Sequence, residues 1–238
     1  MPSAAILFNH VLYAFFPRRC LSCGKVVAPD KEFCAGCAGG ISRIQPPVCN
    51  RCGRGAAECD CGGRASIFTA LTAPFYYEGS VRRCIQRLKF GGYKQNAGML
   101  AYEMARTVNN AFRDKQIDGI ACVPLTKKGL RERGYNQSAL LAAKLGKILG
   151  VETLPKTLVK LYDTPAQHTL KSYERTGNVA GAFAVPDNSR VAGKSILLCD
   201  DVSTTGATLN ECAKMLLLAG AKDVFCVTAA LTKKELKK

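Results

Sequence analysis

From about residue 66 onward the chain alternates between short unbroken apolar runs and longer segments where apolar residues recur every three or four positions. "ALTAPFYY" (70–77), "GIACVPL" (119–125), "GAFAV" (181–185), "SILLCDD" (195–201) and "DVFCVTAAL" (223–231) are of the first kind and predict strands. Between them, Val81, Cys84, Ile85 and Leu88 fall at helical spacing, with Arg82, Arg83 and Arg87 on the other faces and the glycines of "KFGGYK" as a stop. A second helix is expected at about 96–112. A third opens at Asn136 with Leu141, Leu145 and Ile148 inward. A fourth runs through about 208–219. It is begun by a Thr208/Glu211 capping box, buries Leu209, Cys212, Ala213, Leu216 and Leu217, and is closed by Gly220. Unbroken strands alternating with amphipathic helices predict an α/β domain over 66–238, a mostly parallel sheet flanked by helices. Ligands of such sheets sit at the carboxyl ends of strands.

The first 65 residues lack this alternation. Leu7, Val11, Leu12 and Phe15 predict a short amphipathic helix within 1–17, ended by Pro17. No stretch reaches the ~18 apolar residues of a membrane span, although an apolar N-terminal helix leaves adhesion to the inner face of a membrane open. Without a basic segment ahead of it, this start does not read as a secretion signal. The expected location is therefore cytoplasmic, where thiols stay reduced.

That location bears on the thirteen cysteines. Cys20 and Cys23, Cys34 and Cys37, Cys49 and Cys52, and Cys59 and Cys61 form close pairs, with Gly24, Gly53, Gly62 and Gly63 following as turn-formers. Two cysteines on a tight turn can aim both sulfurs at one ion, so four pairs predict two structural zinc sites of four thiolates each, in a module spanning 18–65. A segment this short and polar would take its folding free energy from the metal. Disulfides or redox pairs are the competing reading. Sequential pairing resembles two zinc ribbons, and the spacing does not exclude a crossed pairing. Cys84, Cys122, Cys199, Cys212 and Cys226 stand alone in apolar stretches and read as core.

Charge widens the picture. A net +16 over 238 residues favours polyanionic partners, and the surplus is spread along the chain, densest in its middle. Lys127, Lys128, Arg131 and Arg133 cluster just after the "VPL" strand end, where they could hold pyrophosphate or a nucleic-acid backbone. Arg82, Arg83, Arg87, Lys89, Phe90, Tyr93 and Lys94 interleave bases with aromatics, as single-strand binding surfaces do. A solvated face with packed aromatics is the plainer account of both.

The densest chemistry is "CDDVSTTGAT" (199–208). Asp200 and Asp201 stand where a core strand leaves the sheet. Ser203, Thr204, Thr205, Gly206, Ala207 and Thr208 then form a small, hydroxyl-rich loop running into a helix N-terminus, an arrangement suited to an anion. The carboxylates would repel that anion but accept hydrogen bonds from a neighbouring polyol. Phosphate beside vicinal hydroxyls describes a ribose 5-phosphate.

"ILLCDDVSTTGAT" resembles the thirteen-residue signature of type I phosphoribosyltransferases. The resemblance implies that Asp200 and Asp201 take the ribose hydroxyls and residues 204–208 the 5-phosphate of phosphoribosyl pyrophosphate, with Mg2+ accompanying the ligand. "VPLTKKGLRERGYNQS" (123–138) and "TPAQHTLKSYERTGNVAGAF" (164–183) look like the remaining blocks of the ComF family, with His168 a departure from it. Arg175 and Asn178 in the second block could close as a hood over a site. Membership would imply a role in natural transformation, with single-stranded DNA and a DNA-uptake helicase or channel as partners. The family's motifs do not by themselves define a reaction, so three readings stand. One is a DNA-handling protein that binds a ribose phosphate; another is a working transferase moving ribosyl phosphate to an unidentified acceptor; the plainest is an anion-binding regulator without chemistry.

Overall fold

A computed structural model of the chain describes residues 17–59, 61–62, 66–162 and 181–233. The predicted N-terminal helix, His168, the Arg175–Asn178 hood, the expected boundary near residue 65 and most of the basic tail lie outside the described residues.

The elements run α1 (Ala35–Ala38), β1 (Ala70–Thr72), β2 (Phe75–Tyr76), α2 (Gly79–Phe90), α3 (Asn96–Ala111), β3 (Gly119–Cys122), α4 (Lys127–Arg133), α5 (Gln137–Leu149), β4 (Val159–Lys160), β5 (Phe183–Ala184), β6 (Ser195–Ser203), α6 (Ala207–Leu218) and β7 (Asp223–Leu231). The main sheet is parallel, in the order β1-β7-β6-β3, with β2 continuing β1 along the upper end of β7. β4 and β5 pair separately as an antiparallel ribbon.

Both faces of the central strands are covered, which is why they read as unbroken apolar runs. Along β6 and β7, Leu197, Cys199, Phe225 and Val227 point into one layer with Ile85, Leu88, Leu100, Met104, Leu141 and Leu145 of α2, α3 and α5. Ile196, Leu198, Val224 and Cys226 point into the other, with Leu209, Cys212 and Leu216 of α6. Cys84, Cys199, Cys212 and Cys226 are fully buried, and burial pushes their thiols up, Cys84 to about 12, so they pack as apolar groups.

The departures from expectation are local. "ALTAPFYY" splits at Pro74, which has no N–H for a ladder. Asn136 caps α5 as expected, its side chain accepting from the N–H of Ser138 and Ala139. Ile148 is 47% exposed, because the last turn packs through Leu149 and Val151 instead. The Thr208/Glu211 capping box does not form. Gly206, at φ 82°, is the N-cap and so offers no side-chain cap, the N–H of Ala207 goes to Thr205 Oγ1, and Glu211 accepts the N–H of Gly181 at 2.7 Å.

The cysteine-rich segment is seated on the sheet. Leu71 N–H donates to Asn50, Tyr76 N–H to Ser42, and Asn96 Nδ2 to the carbonyl of Leu21. Arg43 grips Glu103 of α3 through two bonds of 2.8 and 3.0 Å. Among the described residues no helix is long and apolar enough to cross a membrane.

Candidate functional site

Asp200 and Asp201 lie on β6 just past Cys199, which pairs with Cys122 at the end of β3. Asp201 is buried and its Oδ1 lies 2.8 Å from Lys89 Nζ of α2. Burial would lower the Lys89 pKa, but the attraction of Asp201 more than offsets it and holds the ammonium charged. Asp200 Oδ1 accepts from Ser138 Oγ of α5 at 2.7 Å and from the backbone N–H of Asp201 at 2.8 Å. Desolvation, reinforced by repulsion from Asp201, outweighs those bonds and carries Asp200 up to about 7. One acid is thus paired with a lysine, and the other titrates near neutrality.

The chain then turns through Ser203–Gly206 into α6. The left-handed Gly206 delivers a helix N-terminus whose N-cap has no side chain, and Thr205 Oγ1 accepts the first N–H, that of Ala207, at 3.3 Å. Arg54, from the cysteine-rich segment, reaches behind this turn: Nη2 donates to Thr204 O at 2.9 Å and Nε to Thr232 O at 3.0 Å.

The predicted basic cluster forms α4, at the carboxyl end of β3. Lys127, Lys128 and Arg131 are exposed there, and Arg133 donates to Gln137 at 3.3 Å while stacking 5.3 Å from the ring of Phe90. Gln137 in turn donates to the Lys89 carbonyl at 3.2 Å. The end of α2, the end of α4 and the start of α5 are therefore one surface, opening beside the acid pair. Phe90 is not core: it is 67% exposed.

The other residues of the predicted nucleic-acid set divide. Arg83 turns to the first cysteine cluster, donating to Ser22 Oγ at 3.0 Å and Cys37 Sγ at 3.8 Å. Arg87 lies 3.7 Å from the Tyr93 ring, Lys94 4.9 Å from that of Tyr135, and Arg82 6.0 Å from that of Tyr77. Lys89 belongs to the acid pair. Three contributors escaped the sequence reading: Lys89 as the partner of Asp201, Ser138, and Arg54. The first two lie in quoted motifs, whereas nothing in the sequence marks Arg54.

The eight paired cysteines form two clusters in sequential order, Cys20, Cys23, Cys34 and Cys37, then Cys49, Cys52, Cys59 and Cys61, with all sulfurs of a cluster within 4.8 Å of one another. The crossed pairing is excluded. The Cys23–Cys34, Cys49–Cys61, Cys52–Cys59 and Cys59–Cys61 sulfur separations of 3.7, 3.8, 3.6 and 3.5 Å are far beyond a disulfide. They match the ~3.8 Å between sulfurs that tetrahedral Zn–S bonds of ~2.3 Å require. Burial pushes the Cys37 thiol up, but bonds from Ser22 and Arg83 bring it down to about 6. The N–H of Cys61 draws Cys59 down, yet the neighbouring sulfurs carry it to about 12. Four such groups can all ionise only around a cation, and the donor set suits a structural zinc ion in each cluster.

Residues 11–67 match the family described as double zinc ribbon domain, and residues 134–238 the family described as phosphoribosyl transferase domain. Competence protein F of Haemophilus influenzae is 30% identical over 224 residues, covering 88% of this chain and 95% of that protein. DNA utilization protein YhgH of Salmonella typhimurium is 31% identical over 208 residues, covering 83% and 90%. Competence protein ComFC of Bacillus subtilis is 28% identical over 205 residues, covering 82% of each.

Two predictions follow from this geometry. Metal analysis should find two zinc ions per chain, and Cys34→Ser should hold one, with faster hydrogen exchange confined to residues 18–40. A folded, metal-replete preparation carrying one ion or none would overturn the assignment. The second concerns Asp200. Its folded pKa of about 7 lies above the unfolded value, so the native state binds more protons than the unfolded one between about pH 4 and 7, and stability falls as pH rises through that window. Asp200→Asn should therefore melt higher than wild type at pH 8, by about 2–4 °C per kcal/mol relieved, and the gap should close toward pH 4. An equal offset at both pH values would show that the carboxylate is not strained.

Proposed function

The chain belongs to the competence protein F (ComF) family, and from that membership we propose that it binds phosphoribosyl pyrophosphate, or a related ribose 5-phosphate, at the end of β6, and single-stranded DNA on the adjoining basic surface, serving DNA uptake in natural transformation. The observation that carries the ligand reading is the acid pair followed within one strand end by a left-handed turn at Gly206 into a helix N-terminus. The 5-phosphate would take the N–H groups of residues 204–208, where partial positive charge gathers. Asp200 and Asp201 would accept the ribose hydroxyls. The exposed cations of α4, at the carboxyl end of β3, would take the pyrophosphate group. Mg2+ would enter with that group and supply charge compensation there.

Support for the DNA reading comes from the net charge and from the shared α2–α4 surface, where exposed Phe90 is flanked by Lys89 and Arg133. An aromatic face among cations holds single strands by stacking and phosphate contact. The names of the curated relatives, competence and DNA utilization proteins, fit the same role. A second reading, transfer of the ribosyl phosphate to a nucleophile with release of pyrophosphate, is favoured by the intact acid pair. Product formation on incubation with phosphoribosyl pyrophosphate and Mg2+ would establish it.

In calorimetry, Asp201→Ala should abolish ribose-dependent binding of phosphoribosyl pyrophosphate while inorganic phosphate still binds. Equal affinity in wild type and variant would remove the ligand reading. Binding of a thirty-base strand should weaken with salt by about 0.7 log units per tenfold salt for each phosphate neutralised, hence a slope of about −3 or steeper for four or more contacts. Phe90→Ala should cost about 1–3 kcal/mol of that binding. No retention of the strand at low salt would leave only the ligand-binding and transferase readings.

A further inference from the structure

Arg54 is 5% exposed, and among the described residues it forms no ion pair. Its guanidinium is satisfied by main-chain carbonyls, Thr204 O and Thr232 O. Burying a charge on carbonyl oxygens alone costs free energy that a neutral side chain would not incur. Its position accounts for the expense. Thr232 N–H donates to Ser203 O at 3.1 Å, and Arg54 donates to Thr204 O at 2.9 Å. Two successive carbonyls of the turn are thus taken up from the 54/232 side. In a trans peptide the C=O and the following N–H point in opposite directions, so the N–H groups of Thr204 and Thr205 are turned away from Arg54. Successive N–H groups on one side make an anion-binding concavity, and the uncompensated charge behind it has the sign that favours an anion.

Arg54 is in turn fixed by the second cysteine cluster. Its carbonyl accepts the N–H of Cys49 at 2.8 Å, and Gly53 N–H donates to Cys49 O at 2.8 Å, closing the knuckle that carries Cys52. Gly53 has φ 71°, and a Cβ there would meet Leu231 Cδ1 and Leu71 O at 3.0 Å, so the knuckle lies directly on β1 and β7. An ion that holds Cys49 and Cys52 therefore also holds the residue that shapes the turn after β6.

We propose that Arg54 is the positioning residue of the phosphate-binding turn, through which metal loading of the second cysteine cluster sets the affinity of the β6 site for phosphorylated ligands. The affinity part rests on the ribose-phosphate reading of that site; the shaping of the turn does not. The test uses the full-length, zinc-loaded protein. Arg54→Ala, Arg54→Lys, Cys52→Ser and, as the control in the other cluster, Cys23→Ser are compared for zinc content, hydrogen exchange of residues 203–208 and calorimetric binding of phosphoribosyl pyrophosphate and inorganic phosphate. Arg54→Ala should keep two zinc ions, speed exchange at 203–208 while β6 and β7 stay protected, and weaken both ligands about tenfold or more. Arg54→Lys, with the charge but not the fork, should fall between. Cys52→Ser should match Arg54→Ala, and Cys23→Ser should bind ligand within about twofold of wild type. Should Arg54→Ala lose zinc or fail to fold, Arg54→Lys decides. Unchanged exchange at 203–208 in the Arg54 variants, or equal ligand loss from both cysteine variants, overturns the proposal. If wild type binds neither ligand, the ribose-phosphate reading fails, and the exchange result still decides whether Arg54 shapes the turn.

Discussion

Two neighbouring carboxylates at the end of a strand buried on both faces cannot both ionise without help, and the upper part of this molecule is arranged around supplying it. The repulsion is met from three elements. Lys89 comes from the last turn of α2, Ser138 from the first turn of α5, and the N–H of Asp201 from the strand itself. For Lys89 and Ser138 to converge, α2 and α5 must both lie on the same face of the sheet, and the layer of Ile85, Leu88, Leu141 and Leu145 against Leu197 and Cys199 puts them there. Even so the compensation is incomplete, and Asp200 stays well above the usual carboxylate range. A site kept at a stability cost is the usual mark of function, since the surrounding packing must hold groups that would otherwise relax.

The cysteine-rich segment solves a different problem. It has too little apolar surface to fold by burial; its own buried cluster is Cys20, Val27 and Cys37. Thiolate clusters fix its two knuckles, and its remaining stability comes from contact with the larger body: Arg43 on Glu103, Asn50 and Ser42 on the ends of β1 and β2, and Arg54 on the turn after β6. The segment therefore supports the site as well as adjoining it. Arg83, which serves the first cluster, and Lys89, which serves the acid pair, project from one helix less than two turns apart.

Legibility followed sequence distance. The strands, the helix periods and the cysteine pairs are set by residues within ten positions of one another, and they were readable: β7 spans 223–231 as its apolar run does, and Asn136 caps α5. The acid pair was readable for the same reason, although β6 does not leave the sheet at it but runs on to Ser203. What failed needed knowledge of distant neighbours. Glu211 completes a local capping pattern, yet a turn that needs left-handed Gly206 starts the helix earlier and leaves the glutamate for Gly181. Lys89 looked like one more surface cation because Asp201 lies 112 residues away in sequence, and Arg54 meets Thr204 across 150. Composition records how many cations the chain has but not which carboxylate each one faces.

That reassignment changes how the two proposed ligands would behave toward each other. Lys89, Arg133 and the exposed bases of α4 border both the acid pair and the Phe90 surface. A pyrophosphate and a nucleic-acid strand placed there are both polyanions drawing on one set of cations, and each would raise the electrostatic cost of the other. By linkage the effect is reciprocal: whatever factor one ligand removes from the affinity of the second, the second removes from the first. The effect would also be screened by salt, since the cations of α4 are exposed. A ribose phosphate without pyrophosphate would escape most of it. Its phosphate would lie on the turn backed by Arg54 and carry no group toward the exposed bases of α4. The charge carried beyond the ribose, rather than the 5-phosphate, is then what would set the sign and size of coupling to DNA.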